Sequence, residues 1–284
     1  MKEGMDSNMF SVLMSVYAKE NVNYFKISID SILAQTLLPD EIVLIRDGQV
    51  PAEMQDTIDY YLAKYEGLFN YIPLEENKGL GNALMIGVNA AKYDLIARMD
   101  TDDIARKNRF ELQIDYMSKH PNVSVLGGQI AEFIGSVENF VGKREVPTDS
   151  NSIKKYLKRR NAFNHMTVVF RKDEVIKAGN YLSTYFYEDY FLWCQMLLTG
   201  AEFANLSEVL VFARTGEALY KRRGGYKTFC SCKSFEKYKY TNGITNWFEY
   251  TTNLIIYFTF QVMLPNDLRG FIMKNMLRER IKAT

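Results

Sequence analysis

Asp100, Asp102 and Asp103 crowd three carboxylates into four positions of the stretch "ARMDTDD" (97–103), directly after an apolar run. Like charges this close repel unless a cation or hydrogen-bond donors compensate. A calcium loop needs acids at alternate positions, then a glycine and a distal glutamate, and "DTDDIARKNRFE" lacks that glycine. An Asp-x-Asp element at a strand end instead suits a hard divalent cation that carries a substrate diphosphate. The structural alternative is a solvated turn in which Asp103 caps a helix. A second acidic pair, Glu188-Asp189 in "YFYEDYFLW", opens a helical pattern, where carboxylates serve either as dipole partners or as an acid–base pair.

These residues need elements to position them. "FSVLMSVY" (10–17), "EIVLI" (41–45), "FNYIPL" (69–74) and "DLIARM" (94–99) read as buried strands. Between them, Phe25, Ile29 and Ile32, then Met54, Ile58, Tyr61, Leu62 and Tyr65, recur at helical spacing, and "ENKGLGNALMIGVNAAK" (76–92) reads as a turn running into a helix. This alternation predicts a mostly parallel sheet flanked by helices, with ligand beyond the carboxyl ends of the strands, where Tyr17, Asp47 and Asp100 fall. Past Gly127-Gly128 the order loosens. Further strands are expected at "MTVVFRK" (166–172) and "AEFANLSEVLVFAR" (201–214), with a helix at "EDYFLWCQMLLTG" (188–200) between them.

The 284 residues, 47% hydrophobic and 24% charged, describe a globular chain. A net charge of +1 gives no support for nucleic acid as a partner. Three cysteines with no zinc-like spacing read as reduced, cytosolic thiols, and "MKEGMDSNMF" carries no leader-like apolar run. From about residue 215 the composition changes, through a basic hinge "YKRRGGYK", to an aromatic, helical tail. Its most apolar part, "YTTNLIIYFTFQVML" (250–264), is shorter than a membrane span.

In order along the chain, "SVLMSVYAKE", "RDG", "ENKGLGNAL", "IARMDTDD" with "NRFELQ", "NHMTVVFRK" and "YEDYFLW" resemble the motifs of family-2 glycosyltransferases. More narrowly the chain resembles bacterial members that build capsule, exopolysaccharide and O-antigen units. The resemblance implies a GT-A fold, a Rossmann-like α/β sheet with a C-terminal helical extension. It divides the chain into a catalytic domain over 1–215 (nucleotide half 1–104, acceptor half 105–215) and a hinge and helical segment over 216–284.

It also implies roles. Tyr17 and Asp47 contact the nucleotide base, Lys78 lines its pocket, Arg98 holds the acidic cluster and Asp100 faces the ribose. Asp102, with Asp103 able to share, holds Mn²⁺ or Mg²⁺ on the diphosphate. Asp189, with Glu188 as second choice, is the base of an inverting transfer. His165 lies near the acceptor or the phosphates, and Arg214, Arg222 and Arg223 neutralise the leaving diphosphate. The donor is a nucleotide sugar, with UDP expected, and the acceptor a saccharide on a lipid carrier.

Ala18 stands where many relatives have asparagine, and neither a Q-x-x-R-W motif nor long spans are present, so addition of one sugar is expected rather than polymerisation. For the tail two roles stand open: lying on the inner face of the plasma membrane, or packing against the catalytic domain or a second subunit. The competing functions are a sugar-nucleotide nucleotidyltransferase, which would want a glycine-rich basic signature after the first strand, and a non-catalytic assembly subunit.

Overall fold

The computed structural model describes residues 8–184, 187–216 and 225–265. Arg222, Arg223 and most of the basic hinge lie outside these residues. Strands β1 (Phe10–Tyr17), β2 (Glu41–Asp47), β3 (Phe69–Pro73) and β4 (Leu95–Arg98) alternate with helices α1 (Val22–Leu33), α2 (Ala52–Lys64) and α3 (Leu80–Ala90). All four strands pair in parallel, in the order β3-β2-β1-β4. Alternation along β1 explains the two layers. Val12, Met14 and Val16 pack with α1 and α2 on one face, and Leu13 packs with α3 on the other.

Beyond β4 the chain adds β5 (Ile104–Ala105), α4 (Arg109–Lys119), β6 (Val123–Phe133), β7 (Phe140–Arg144), α5 (Ser150–Tyr156), β8 (Val169–Arg171), α6 (Lys172–Lys177), α7 (Glu188–Leu198) and β9 (Glu202–Arg214). β8 joins β4 and β6 antiparallel, β6 and β9 run parallel, and β5 closes the far edge antiparallel to β9. β6 therefore continues through Gly127-Gly128, where the sequence suggests loosening, with a shift in its register against β9 between Gly127 and Gln129. A Cβ on Gly127 would come within 2.2 Å of the Asn205 side chain, so the glycine marks a close approach inside a strand rather than a break.

Two further helices, α8 (Tyr226–Thr241) and α9 (Trp247–Phe258), follow. α8 seats Phe235 among Tyr187, Tyr190 and Phe191. Beside it Lys239 and Glu236, both wholly buried, pair at 2.7 Å, and Lys239 also donates to the Lys158 carbonyl. Removing one partner of such a pair leaves a buried charge uncompensated. Lys239→Met is expected to lower unfolding free energy by about 3–5 kcal/mol in chemical denaturation. A loss below about 1 kcal/mol would show that the pair does not anchor the tail.

Candidate active site

The site is built on the carboxyl ends of β1, β2 and β4. Tyr17 and Asp47 are direct neighbours across β1 and β2. The buried Asp47 carboxylate accepts from the backbone N–H of Lys78 at 2.7 Å and of Gly79 at 3.0 Å, which fixes the turn into α3. Gly48 makes this possible. Its φ is +85°, and a Cβ there would lie 2.6 Å from the Asn77 nitrogen. The Lys78 side chain is exposed at the rim.

The acidic turn after β4 is pinned from three sides. Ser28 donates to the Asp100 carbonyl at 2.8 Å, Thr101 to the Ser15 carbonyl at 3.3 Å, and the Met99 N–H to Leu13 at 3.1 Å. Arg98, 1% exposed, turns its guanidinium onto the Met99 carbonyl and the Asp100 carboxylate. Arg109, also buried, donates to the Arg98 carbonyl at 2.7 Å and to Gln113 at 2.9 Å. Burial first, and the Arg98 charge second, push the Arg109 guanidinium down to about 9.

The three acids have different surroundings. Asp100 takes Arg98. Asp103 is buried and accepts the Arg214 backbone N–H at 2.8 Å. Asp102 gives only its carbonyl to Arg214 Nε, at 3.1 Å, and its carboxylate is held by no other described residue. Burial, then the charge of Asp100, push the Asp102 carboxyl from 3.8 up to about 6. Arg214 is committed to this turn, since its guanidinium also donates to the Gly135 carbonyl at 3.0 Å and stacks 3.7 Å from the Tyr24 ring centre. Among the described residues no three acidic, histidine or cysteine side chains converge as a closed metal cage. One open carboxylate beside a second fits a cation whose remaining ligands are substrate phosphates, the usual magnesium arrangement.

The second acidic pair, at the first turn of α7, lies within the electrostatic reach of Arg98 and Asp100. Asp189 Oδ2 accepts from Asn161 Nδ2 at 2.6 Å. Asn161 is itself set by the Phe163 N–H on its Oδ1 and by Arg144 on its carbonyl. Burial, then the Asp189 charge, raise Glu188 from 4.5 to about 7, with Asp100 also contributing. His165 bonds Tyr181 Oη through Nε2 at 2.9 Å. Burial, then Arg98, lower it to about 4, so its ring is neutral near pH 7. His165 also feels the charges of Asp189 and Asp100, which brings both acidic groups and the histidine into one electrostatic neighbourhood.

A family model described as glycosyl transferase family 2 matches residues 11–176. The chain belongs to glycosyltransferase family 2. It is 37% identical, over 96% of its length and 98% of the relative's, to an Escherichia coli UDP-Gal:alpha-D-GlcNAc-diphosphoundecaprenol beta-1,3-galactosyltransferase. It is 40% identical, over 77% of its length and 80% of the relative's, to the amylovoran biosynthesis glycosyltransferase AmsE of Erwinia amylovora. Among solved structures, S. aureus TarS in complex with UDP-GlcNAc superposes with a TM-score of 0.63 at 17% identity, covering 95% of this chain and 76% of that one. A Pyrobaculum calidifontis mannosyltransferase in complex with GDP-Man and Mn²⁺ gives 0.62 at 12% identity, with 92% and 71% covered. The fold is thereby GT-A, and this glycosyltransferase carries its acidic turn at the carboxyl end of β4, an inner strand of the sheet.

Sequence reasoning missed Asn161, Arg109 and Gln113. The latter two fall in "NRFELQ", four residues apart on one helix face, a spacing that was legible; Asn161 meets Asp189 only through the fold. The raised carboxyls make a pH prediction. Asp102 and Glu188 bind protons more tightly folded than unfolded, so in EDTA stability is expected to fall as pH rises from about 4 to about 7. Asp102→Asn with Glu188→Gln should flatten that slope in chemical denaturation; an unchanged slope would contradict these environments.

Proposed function

We propose that this glycosyltransferase is an inverting, metal-dependent enzyme that moves one hexose from a UDP-sugar to a lipid-linked oligosaccharide during synthesis of a bacterial surface polysaccharide. The observation that carries the reading is that an open carboxylate, Asp102, and an oriented one, Asp189, belong to acidic groups that share the electrostatic neighbourhood of buried Arg98. The E. coli relative's name, with its UDP-sugar donor and diphosphoundecaprenol acceptor, supports the substrate classes.

In this reading Tyr17 and Asp47 hold the uracil. Each Asp47 oxygen already accepts one backbone N–H, and a carboxylate oxygen has a second lone pair for the base. Lys78 lies at the pocket rim and Asp100 faces the ribose. Asp102 would hold Mn²⁺ or Mg²⁺, which when bound supplies positive charge to the donor diphosphate. Asp103 and Arg214 position that carboxylate by fixing the turn, and Asp103, which gives only Oδ1 to the Arg214 N–H, has its other oxygen to share the cation. Arg222 and Arg223 are proposed to screen the departing nucleotide.

Asp189 takes the acceptor hydroxyl proton as that oxygen bonds to the anomeric carbon and the bond to the diphosphate oxygen breaks, which inverts the centre. Asp189 Oδ2 accepts from Asn161 and Oδ1 from the Tyr190 N–H at 2.7 Å, and each oxygen keeps a second lone pair for this contact. His165, neutral, offers a hydrogen bond near the acceptor rather than a charge to the phosphates. A lipid carrier places the enzyme at the cytoplasmic face of the plasma membrane.

Asp102→Ala is expected to abolish the Mn²⁺-dependent part of UDP-sugar affinity in calorimetry, and unchanged metal dependence would remove Asp102 as the ligand. Asp189→Asn is expected to keep donor affinity and lose about 10²–10⁴-fold in transfer rate. Transfer at the wild-type rate would pass the base role to Glu188.

A further inference from the structure

Helix α9 is turned inside out relative to an ordinary surface helix, which buries its apolar stripe. Its polar residues face the protein. Asn253 is buried and donates to the Lys158 carbonyl and to Glu236, both at 2.9 Å, Glu249 pairs with Lys158, and Tyr257 Oη donates to the Arg159 carbonyl at 3.1 Å. A row of its apolar residues faces out, while Tyr250 and Phe258 pack on Tyr240 and Phe229 of α8. Phe248 is 70% exposed, Ile255 67%, Ile256 56%, and Met263, in the turn that continues the helix, 66%. From Trp247 to Pro265 the sole charged residue is Glu249. Apolar side chains exposed singly need no explanation, but a contiguous strip marks a contact surface.

The surroundings indicate what covers it. The turn whose carbonyls hold α9 belongs to "KKYLKRR" (154–160). There Lys154 and Lys158 are paired with Glu202 and Glu249, while Lys155, Arg159 and Arg160 are exposed. An apolar helix face bordered by clustered cations is the composition that binds anionic lipid, with the apolar side chains among the acyl chains and the cations on phosphates. Among the described residues no helix is long and apolar enough to cross a membrane, so such a contact lies on the surface. The basic turn also leads into the site, because Asn161, next to Arg160, is the residue that orients Asp189.

We propose that α9 docks this enzyme on an anionic phospholipid bilayer, with Phe248, Ile255, Ile256 and Met263 inserted and Lys155, Arg159 and Arg160 on the headgroups, bringing the Asn161–Asp189 side of the site to the membrane. The purpose of that orientation, delivery of a lipid-borne acceptor, rests on the acceptor class proposed above. The contact itself does not.

The test is sedimentation of the full chain with vesicles of equimolar phosphatidylglycerol and phosphatidylcholine, or of phosphatidylcholine alone, with no donor or acceptor present. The wild type should bind the anionic vesicles at least tenfold more tightly than the neutral ones. Phe248→Asp with Ile255→Asp should lose at least tenfold in binding while keeping the wild-type thermal shift with UDP and Mn²⁺, and Arg159→Glu with Arg160→Glu should abolish the preference for anionic lipid. Absence of vesicle binding by the wild type, or equal binding by the Phe248→Asp, Ile255→Asp variant, overturns the proposal. So does a dimer in sedimentation velocity that this variant dissolves without vesicle binding, which assigns the face to a second copy. Because no sugar is present, failure of the transferase reading leaves the vesicle result standing.

Discussion

A guanidinium buried at the end of a central strand must be surrounded by compensating groups, because it does not give up its proton. Arg98 imposes that requirement on the site. It is neutralised directly by Asp100 and the Met99 carbonyl. Its charge also eases the burial of Asp102, Asp103 and Glu188 and disfavours a second positive charge on His165. Two groups of carboxylates that would otherwise repel, Asp100 to Asp103 and Glu188-Asp189, can therefore share one electrostatic neighbourhood.

The remaining charges are distributed so that each acid has one task. Asp103 ties the turn to β9 through the Arg214 N–H, and Arg214 in turn is held by Gly135 and by the ring of Tyr24. Asp102 is left with an unclaimed carboxylate. Across the site Asp189 is oriented by Asn161 while neighbouring Glu188 has its carboxyl raised. Adjacent carboxylates in different environments suit the division between ligand binding and proton transfer that we propose for this site.

The strands and helices from β1 to β4 were legible because the strands are short apolar runs, the helices repeat at helical spacing, and turn residues lie between them. β6 was not, because Gly127-Gly128 reads as a break; only the fold shows that Asn205 and Leu210 occupy the space their side chains would need. The acidic turn and the Glu188-Asp189 pair could be found from residue type and order. Their assignments could not be completed from sequence, since Asp189 meets Asn161 and Asp103 meets Arg214 only through tertiary packing. Nor could periodicity reveal the orientation of α9, because a helical repeat has the same spacing whichever face is buried.

We propose for the open carboxylate edge a grip on a nucleotide diphosphate through a divalent cation. Thermal denaturation with UDP-, GDP- and dTDP-sugars, each in Mn²⁺ and in EDTA, tests it directly, since a ligand bound only by the folded chain raises the melting temperature. A rise is expected with UDP-sugars in Mn²⁺ that disappears in EDTA. The same rise in EDTA, or none with any nucleotide sugar, would contradict it.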